Sequence, residues 1–209
     1  MNATVLLLED DDFIRMALVE ALTHHGIELV ANCKTASDAL AAANEFQPEV
    51  AILDLDLGRG PTGLDVARSL RKANPDIGIV FLTSFADPRF VVSGHQGAPA
   101  GSQYLVKKSV GAVSTILEAI ALSLTSRKVS KWGPEDSGDF GKLTESQVAT
   151  LRLVAEGYSN QEIARKLSIN EKSVEQQVGR IAKRLGIERK LDRNMRVSIA
   201  QAYFRQAGG

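Results

Sequence analysis

The sequence holds a single cysteine, Cys33, in 209 residues. One thiol excludes an internal disulfide and fits a reducing compartment. No apolar run approaches the length needed to cross a membrane. No basic segment followed by an apolar one opens the chain, so no secretory signal is expected and a cytoplasmic location is. Internal repeats and low-complexity tracts are missing as well. So is net charge: 25 Lys and Arg balance 25 Asp and Glu. What remains is ordinary globular material, 44% hydrophobic and 24% charged, long enough for one large domain or two small ones.

The balance of charge conceals a division. Residues 1–126 carry nine Lys and Arg against fifteen Asp and Glu, a net −6, and residues 127–209 carry sixteen against ten, a net +6. An acidic part followed by a basic part points to two domains with different partners, the second being nucleic acid. Between them, "SRKVSKWGPEDSGDFGK" (126–142) is rich in Gly, Ser and mixed charge with no apolar period, which is linker composition. The expected division is therefore 1–125, a linker at 126–142, and 143–209.

In the first part, short apolar runs alternate with helical patterns. "TVLLL" (4–8), "IELVANC" (27–33), "VAILDL" (50–55), "IGIVFL" (77–82) and "QYLV" (103–106) read as strands. Several are nearly all apolar, as strands covered on both faces are. "DFIRMALVEALTHH", "ASDALAAANEF" and "GLDVARSLRKA" have helical spacing. Ser37 is the expected N-cap of the second, and a last helix is expected over 109–124 from Ser109. Five strands alternating with helices give an α/β doubly wound, five-stranded parallel sheet, with function outside the C-terminal strand ends. The second part is all helical. A helix opens at Thr144 and ends before Gly157, and "SNQEIARKL" and "NEKSVEQQVGRIAKRLG" follow, joined by "SIN" as a helix-turn-helix. "RNMRVSIAQAYFRQ" is a fourth helix.

Four strands deliver polar residues to one edge of the sheet. Glu9 and Asp10 follow the first strand, Asp54 the third, Thr83 the fourth and Lys107 the fifth. Clustered carboxylates repel unless a hard cation neutralises them, and Mg²⁺ takes oxygen ligands of this kind. A carboxylate beside the cation can attack phosphorus to give an aspartyl-phosphate. The cation and an ammonium then stabilise charge on the phosphoryl oxygens. Asp11 and Asp12, next along, suit the N-terminus of a helix instead.

With those residues in place, the chain resembles the receiver domain of bacterial two-component response regulators over about residues 3–125. The resemblance implies Mg²⁺ at Glu9 and Asp10, with Asp54 as phosphoacceptor and the backbone carbonyl of Asp56 completing the metal site. It implies Thr83 as the switch hydroxyl, Lys107 as the phosphate-binding lysine, and Tyr104 as the aromatic that changes rotamer. Three departures from the family pattern stand out. The loop "DLGRGPTG" is one residue longer. Lys107 is followed by Lys108 rather than the proline whose peptide bond is commonly cis in the family, which leaves that bond free to be trans. Residues 84–103, "SFADPRFVVSGHQGAPAGSQ", hold three Gly and two Pro where the family has a regular fourth helix. That helix is expected to be short or absent, replaced by an extended loop.

The second part, over about 143–187, resembles the LuxR/NarL-type helix-turn-helix. The resemblance rests on Leu143, Thr144, "LRLVAEG", Ser159, Asn160, "EIA", Leu167, Ile169, Val174, Ile181 and "KRLGI". Leu151, Val154, Ile163, Ala164, Leu167, Val174, Val178, Ile181 and Leu185 are the expected core. In that family the helix opening at Glu171 enters the major groove. Its outward residues here are Lys172, Ser173, Glu175, Gln176, Gly179, Arg180 and Lys183. Arg165, Lys166 and Arg184 are further phosphate candidates, and Arg189, Lys190, Arg193 and Arg196 add charge near the fourth helix. Val197, Ile199, Ala200 and Tyr203 are a candidate apolar stripe for a dimer.

The implied function is a DNA-binding transcription regulator, phosphorylated on Asp54 by a sensor histidine kinase and binding paired half-sites as a homodimer. The competing reading is a DNA-binding regulator whose receiver binds a protein or ligand independently of phosphorylation. An enzyme acting on an external substrate is not expected, since the chain offers no second substrate-holding domain.

Overall fold

The computed structural model describes residues 3–58, 60–85, 87–90, 98–125, 138–188 and 193–206. The chain divides into two compact units. One comprises Met1–Thr83 with Gly94–Pro134, the other Ser84–Ser93 with Glu135–Gly209.

The first unit is a five-stranded, all-parallel sheet in the order β2-β1-β3-β4-β5, the flavodoxin-like arrangement. Its strands are β1 (Thr4–Leu8), β2 (Glu28–Cys33), β3 (Val50–Leu53), β4 (Gly78–Thr83) and β5 (Gln103–Val106). The apolar runs become strands because helices shield both faces. Every residue of β3 and β4 is buried, as are Val5 to Leu8 of β1, and each such Val, Leu or Ile side chain contributes about 1.5–3 kcal/mol. The helices are α1 (Asp12–His24), α2 (Ala36–Phe46), α3 (Gly63–Ala73) and α4 (Val113–Thr125).

Two expected helix starts are corrected. Thr35, not Ser37, caps α2: its hydroxyl oxygen accepts the Asp38 N–H at 3.2 Å, and Ser37 lies inside the first turn. A cap needs extended backbone and an oxygen three residues ahead of the N–H it satisfies, and Thr35 supplies both. The last helix begins at Val113 rather than Ser109, because Lys107–Ser109 form a separate 3₁₀ turn and Gly111 follows. Glycine disfavours helix by about 1 kcal/mol.

No α-helix lies between β4 and β5 among the described residues. Pro88–Phe90 form one 3₁₀ turn, and residues 91–97, the rest of the expected loop, lie outside the described residues, as does most of the expected linker, 126–137. Among the described residues no peptide bond is cis, so the Lys107–Lys108 bond is trans.

The second unit contains a short helix α5 (Gly138–Gly141) and α6 (Glu145–Ala155). Beyond them come α7 (Asn160–Leu167), α8 (Glu171–Arg184) and α9 (Met195–Gln206). Thr144 and Gln147 cap each other in a reciprocal box at the start of α6, and Ser159 and Asn170 cap α7 and α8. Gly157 takes φ +88° behind α6, a conformation that suits glycine. Leu151, Val154, Ile163, Val174, Val178 and Ile181 form its core, with Leu167 and Leu185 packed at the edge. Phe85 and Phe90, from the stretch between β4 and β5, belong to the same cluster.

Candidate phosphoryl site and nucleic-acid face

The register of the sheet assembles the first site. Leu8 pairs with Leu53, so β1 and β3 end side by side and release Glu9 and Asp54 together. The Asp54 N–H donates to the Leu8 carbonyl at 2.9 Å, and the Glu9 N–H to that of Cys33 at 3.0 Å. Asp11 then caps α1, its carboxylate accepting the N–H groups of Phe13 and Ile14. Asp12, in the first turn, pairs with Arg15 and Lys34. Arg15 also donates to the Glu9 carbonyl at 3.0 Å.

Carboxylate oxygens of Glu9, Asp10 and Asp54 lie within 4.8 Å of one another, Glu9 and Asp54 buried and Asp10 half-buried. Lys107, from the end of β5, donates to both buried acids, at 2.9 Å to Glu9 and 2.6 Å to Asp54. Its trans bond to Lys108 therefore leaves it in reach of the site. The second oxygen of Asp54 accepts the Asp56 N–H at 3.2 Å. Asp56 itself is exposed.

Burial pushes the Glu9 carboxyl up to about 7, against the Lys107 hydrogen bond and with the Asp54 charge adding to the rise. Burial also raises Asp54, opposed by the charge and hydrogen bond of Lys107. Lys107 is held above its ordinary value. Burial works against its charge, but the attraction and hydrogen bonds of Asp54 and Glu9 outweigh that. One ammonium leaves three clustered carboxylates under-neutralised. An all-oxygen set of this kind, without His or Cys, suits a hard divalent cation.

Thr83 is fully buried at the end of β4, and Tyr104 is half-buried on β5 opposite Phe81. Gly63, which the motif reading passed over, starts α3 against Asp54. A Cβ there would lie 1.9 Å from the Asp54 carbonyl oxygen. The loop "GPTG" was the only signal, and spacing alone cannot show that α3 abuts Asp54.

On α8, Lys172, Glu175, Gln176, Gly179, Arg180 and Lys183 are exposed, and Ser173 is half-buried with its hydroxyl on Asn170. Other basic candidates have internal roles. Arg184 donates to the Lys142 carbonyl and to Gln147 of the α6 capping box. Arg196 donates to Asn160 and to the Tyr158 carbonyl. Arg165 pairs with Glu162 at 2.6 Å, and the Lys166 ammonium lies 4.4 Å from the centre of the Tyr158 ring. Arg193 is exposed, and Arg189 and Lys190 lie outside the described residues. Gln177, not anticipated, bonds Thr150 and Ser146 and so ties α8 to α6. The expected stripe on α9 is not one exposed face. Ile199 is fully buried, Tyr203 packs on Phe85 and Phe90, and the exposed apolar residues of the helix are Val197 and Phe204.

A parallel sheet with clustered acids and a lysine at its C-terminal edge, together with a helix-turn-helix unit, defines a two-component regulator, and comparison with known proteins agrees. The model of the response regulator receiver domain matches residues 5–121, and that of bacterial regulatory proteins of the luxR family matches residues 141–193. The chain belongs to the response regulators with a luxR-type output domain. It is 30% identical over 200 residues to the response regulator protein VraR of Staphylococcus aureus, covering 90% of this chain and 92% of VraR. It is 28% identical over 198 residues to the DNA-binding transcriptional activator DevR/DosR of Mycobacterium tuberculosis, covering 89% of each. RcsB from Salmonella enterica serovar Typhimurium shares the fold at a TM-score of 0.60 and 21% identity, covering 97% of this chain and 99% of RcsB.

Proposed function

We propose that this regulator is switched by phosphorylation of Asp54 and that its α8 face reads DNA. A sensor histidine kinase is the donor. An Asp54 carboxylate oxygen attacks phosphorus, the bond from phosphorus to the kinase imidazole breaks, and the electron pair leaves with the imidazole. The observation that carries this is the convergence of β1, β3 and β5 on one point, where Lys107 bonds Glu9 at 2.9 Å and Asp54 at 2.6 Å. Lys107 is placed to stabilise charge on a phosphoryl oxygen. Glu9, Asp10, Asp54 and the Asp56 carbonyl are the proposed Mg²⁺ ligands, and bound Mg²⁺ neutralises the acids and the phosphoryl oxygens. The Thr83 hydroxyl donates to a phosphoryl oxygen, and Tyr104 follows that movement. The oxygen-only donor set and the shortfall of positive charge around it support this reading.

The DNA contacts are Lys172, Ser173, Glu175, Gln176, Gly179, Arg180 and Lys183. Gln176 suits adenine, Glu175 suits cytosine, and the cations suit phosphates. The working form is a cytoplasmic homodimer on paired half-sites, built from a receiver at 1–125, a linker at 126–142 and an output domain at 143–209. The chain turns over no external substrate in this reading.

The test is intact mass after incubation with Mg²⁺ and acetyl phosphate, for the wild type and for Asp54→Asn. One added phosphoryl group in the wild type alone is the expected result. Labelling of Asp54→Asn, or of neither protein, refutes the assignment.

A further inference from the structure

The stretch after β4 is built into the core of the second unit. Phe90 is 1% exposed and Phe85 6%. The Phe90 ring centre lies 5.4 Å from Phe140 and 5.4 Å from Tyr203, both edge-on, and Phe85 lies 6.0 Å from Tyr203. Edge-to-face aromatic pairs at these separations attract beyond simple burial.

Polar contacts fix the same stretch. Asp87 is 3% exposed and receives the Arg89 guanidinium on both oxygens, at 3.0 and 2.6 Å. Arg89 also donates to the carbonyls of Leu143 at 2.7 Å and Phe140 at 3.2 Å, and stands 3.9 Å from Glu145. The Phe140 carbonyl belongs to α5, and that of Leu143 to the residue just before the Thr144 cap of α6. A half-buried forked pair that also satisfies two main-chain carbonyls is a structural joint rather than a surface salt bridge. The joint grips α6 through Arg89 and α9 through Tyr203. In turn, α6 holds α8 through Gln177 and Arg184.

The chain passes from Thr83, the last residue of β4, directly into this joint at Ser84. We propose that residues 84–85 and 87–90 are an inserted strap of the DNA-binding unit that relays the state of Thr83 to α6 and α9. The relay rests on the reading of Asp54 and Thr83 given above. Thr83 is fully buried and Phe85 follows two residues later, so little chain is available to absorb a shift of the Thr83 backbone. A helix at this position would bury its own apolar face locally. Here the apolar side chains are spent on the core of the second unit, to which the stretch itself belongs.

Hydrogen–deuterium exchange of the full-length chain tests both halves of the idea. The wild type and Phe90→Ala are compared with and without beryllium fluoride and Mg²⁺, the fluoride standing for the phosphoryl group. In Phe90→Ala, exchange in Glu145–Ala155 and Met195–Gln206 is expected to rise more than about tenfold, with Thr4–Leu8 and Val50–Leu53 unchanged. In the wild type, beryllium fluoride is expected to protect the region around Asp54 and to alter exchange in the same two helices. The helix response disappears in Phe90→Ala while the protection at Asp54 remains.

Unaltered α6 and α9 in Phe90→Ala would overturn the insertion. A helix response that survives in Phe90→Ala would overturn the relay. Wild-type protection at Asp54 with silent helices also sinks the relay, and leaves Asp54 standing. No protection at Asp54 removes the phosphoacceptor reading and the relay with it. Should Phe90→Ala unfold the second unit outright, insertion is established and the relay is read in Arg89→Lys. That variant keeps the charge, loses the fork, and is expected to loosen the first turn of α6 alone.

Discussion

The nearest constraint on Asp54, the proposed acceptor, is a residue without a side chain. Gly63 presses the first turn of α3 onto the Asp54 carbonyl, where a methyl group would sit 1.9 Å from the oxygen and 2.8 Å from its carbon. Neither side can yield freely. The Asp54 N–H is bonded to Leu8 across the sheet, and the Gly63 N–H to the Leu55 carbonyl at 3.1 Å. Gly63→Ala is therefore expected to cost about 1–3 kcal/mol or more by overpacking and to slow phosphorylation by shifting Asp54 against Lys107. Gly111→Ala, whose added methyl meets nothing within 4 Å, is the control. Urea midpoints and labelling rates of both variants check this; equal effects would mean the close approach is not the cause. The basic residues of the second unit separate in the same way. Arg184 holds the entry to α6 and Arg165 holds an exposed carboxylate one turn away. Arg184→Ala is expected to lower the stability of the unit by about 1–3 kcal/mol, and Arg165→Ala by about 0.5 kcal/mol at most. Thermal unfolding of the two variants decides between these roles.

At the scale of elements, α3 carries a pH-sensitive start. The Asp65 carboxylate accepts the Thr62 N–H at 2.9 Å and its hydroxyl at 2.8 Å. The backbone bond first, then the hydroxyl bond, holds it below its ordinary value. A depressed carboxyl stabilises the fold above its unfolded value, about 3.9, and that stability is lost as pH falls through the folded value. Asp65 is half-exposed, so the effect is modest. Asp65→Ala should cost about 0.5–1 kcal/mol at pH 7, shrinking toward zero below pH 3, as chemical denaturation at the two pH values would measure. The strands, the helix-turn-helix core and the edge that gathers Glu9, Asp10, Asp54 and Lys107 were legible in the sequence, because parallel strands and amphipathic helices write their burial into local periodicity. The start of α4 was not, since the apolar pattern runs through Gly111 into a 3₁₀ turn. Nor was the fate of residues 84–90. Their Gly- and Pro-rich surroundings argue against a regular helix, and the described part holds one 3₁₀ turn, but the partners of Phe85, Arg89 and Phe90 lie at Phe140, Leu143 and Tyr203, and no local pattern encodes contacts that distant. The apolar stripe on α9 failed for the same reason, because Tyr203 was already committed to the strap.

For the whole molecule, the split of −6 against +6 turns affinity for DNA into a question of ionic strength. If the α8 face binds DNA as proposed, its cations release counterions on neutralising phosphates, and affinity falls steeply as salt rises. Part of the +6 is already spent internally, on Arg184 and Arg196, so fewer cations than the count suggests are open to DNA. Arg180 is exposed in the middle of α8 and is the best single probe. Arg180→Ala should weaken binding by about 1–3 kcal/mol at fixed salt. Were Arg180 a phosphate contact, the slope of log affinity against log salt would fall by about one and every DNA sequence would weaken alike. Were it a base contact, the slope would hold and discrimination at one position would relax. Titrations of both proteins at four salt concentrations separate the two. Unchanged affinity at every concentration would remove Arg180 from the interface and put the reading face on Lys172, Gln176 and Lys183 alone.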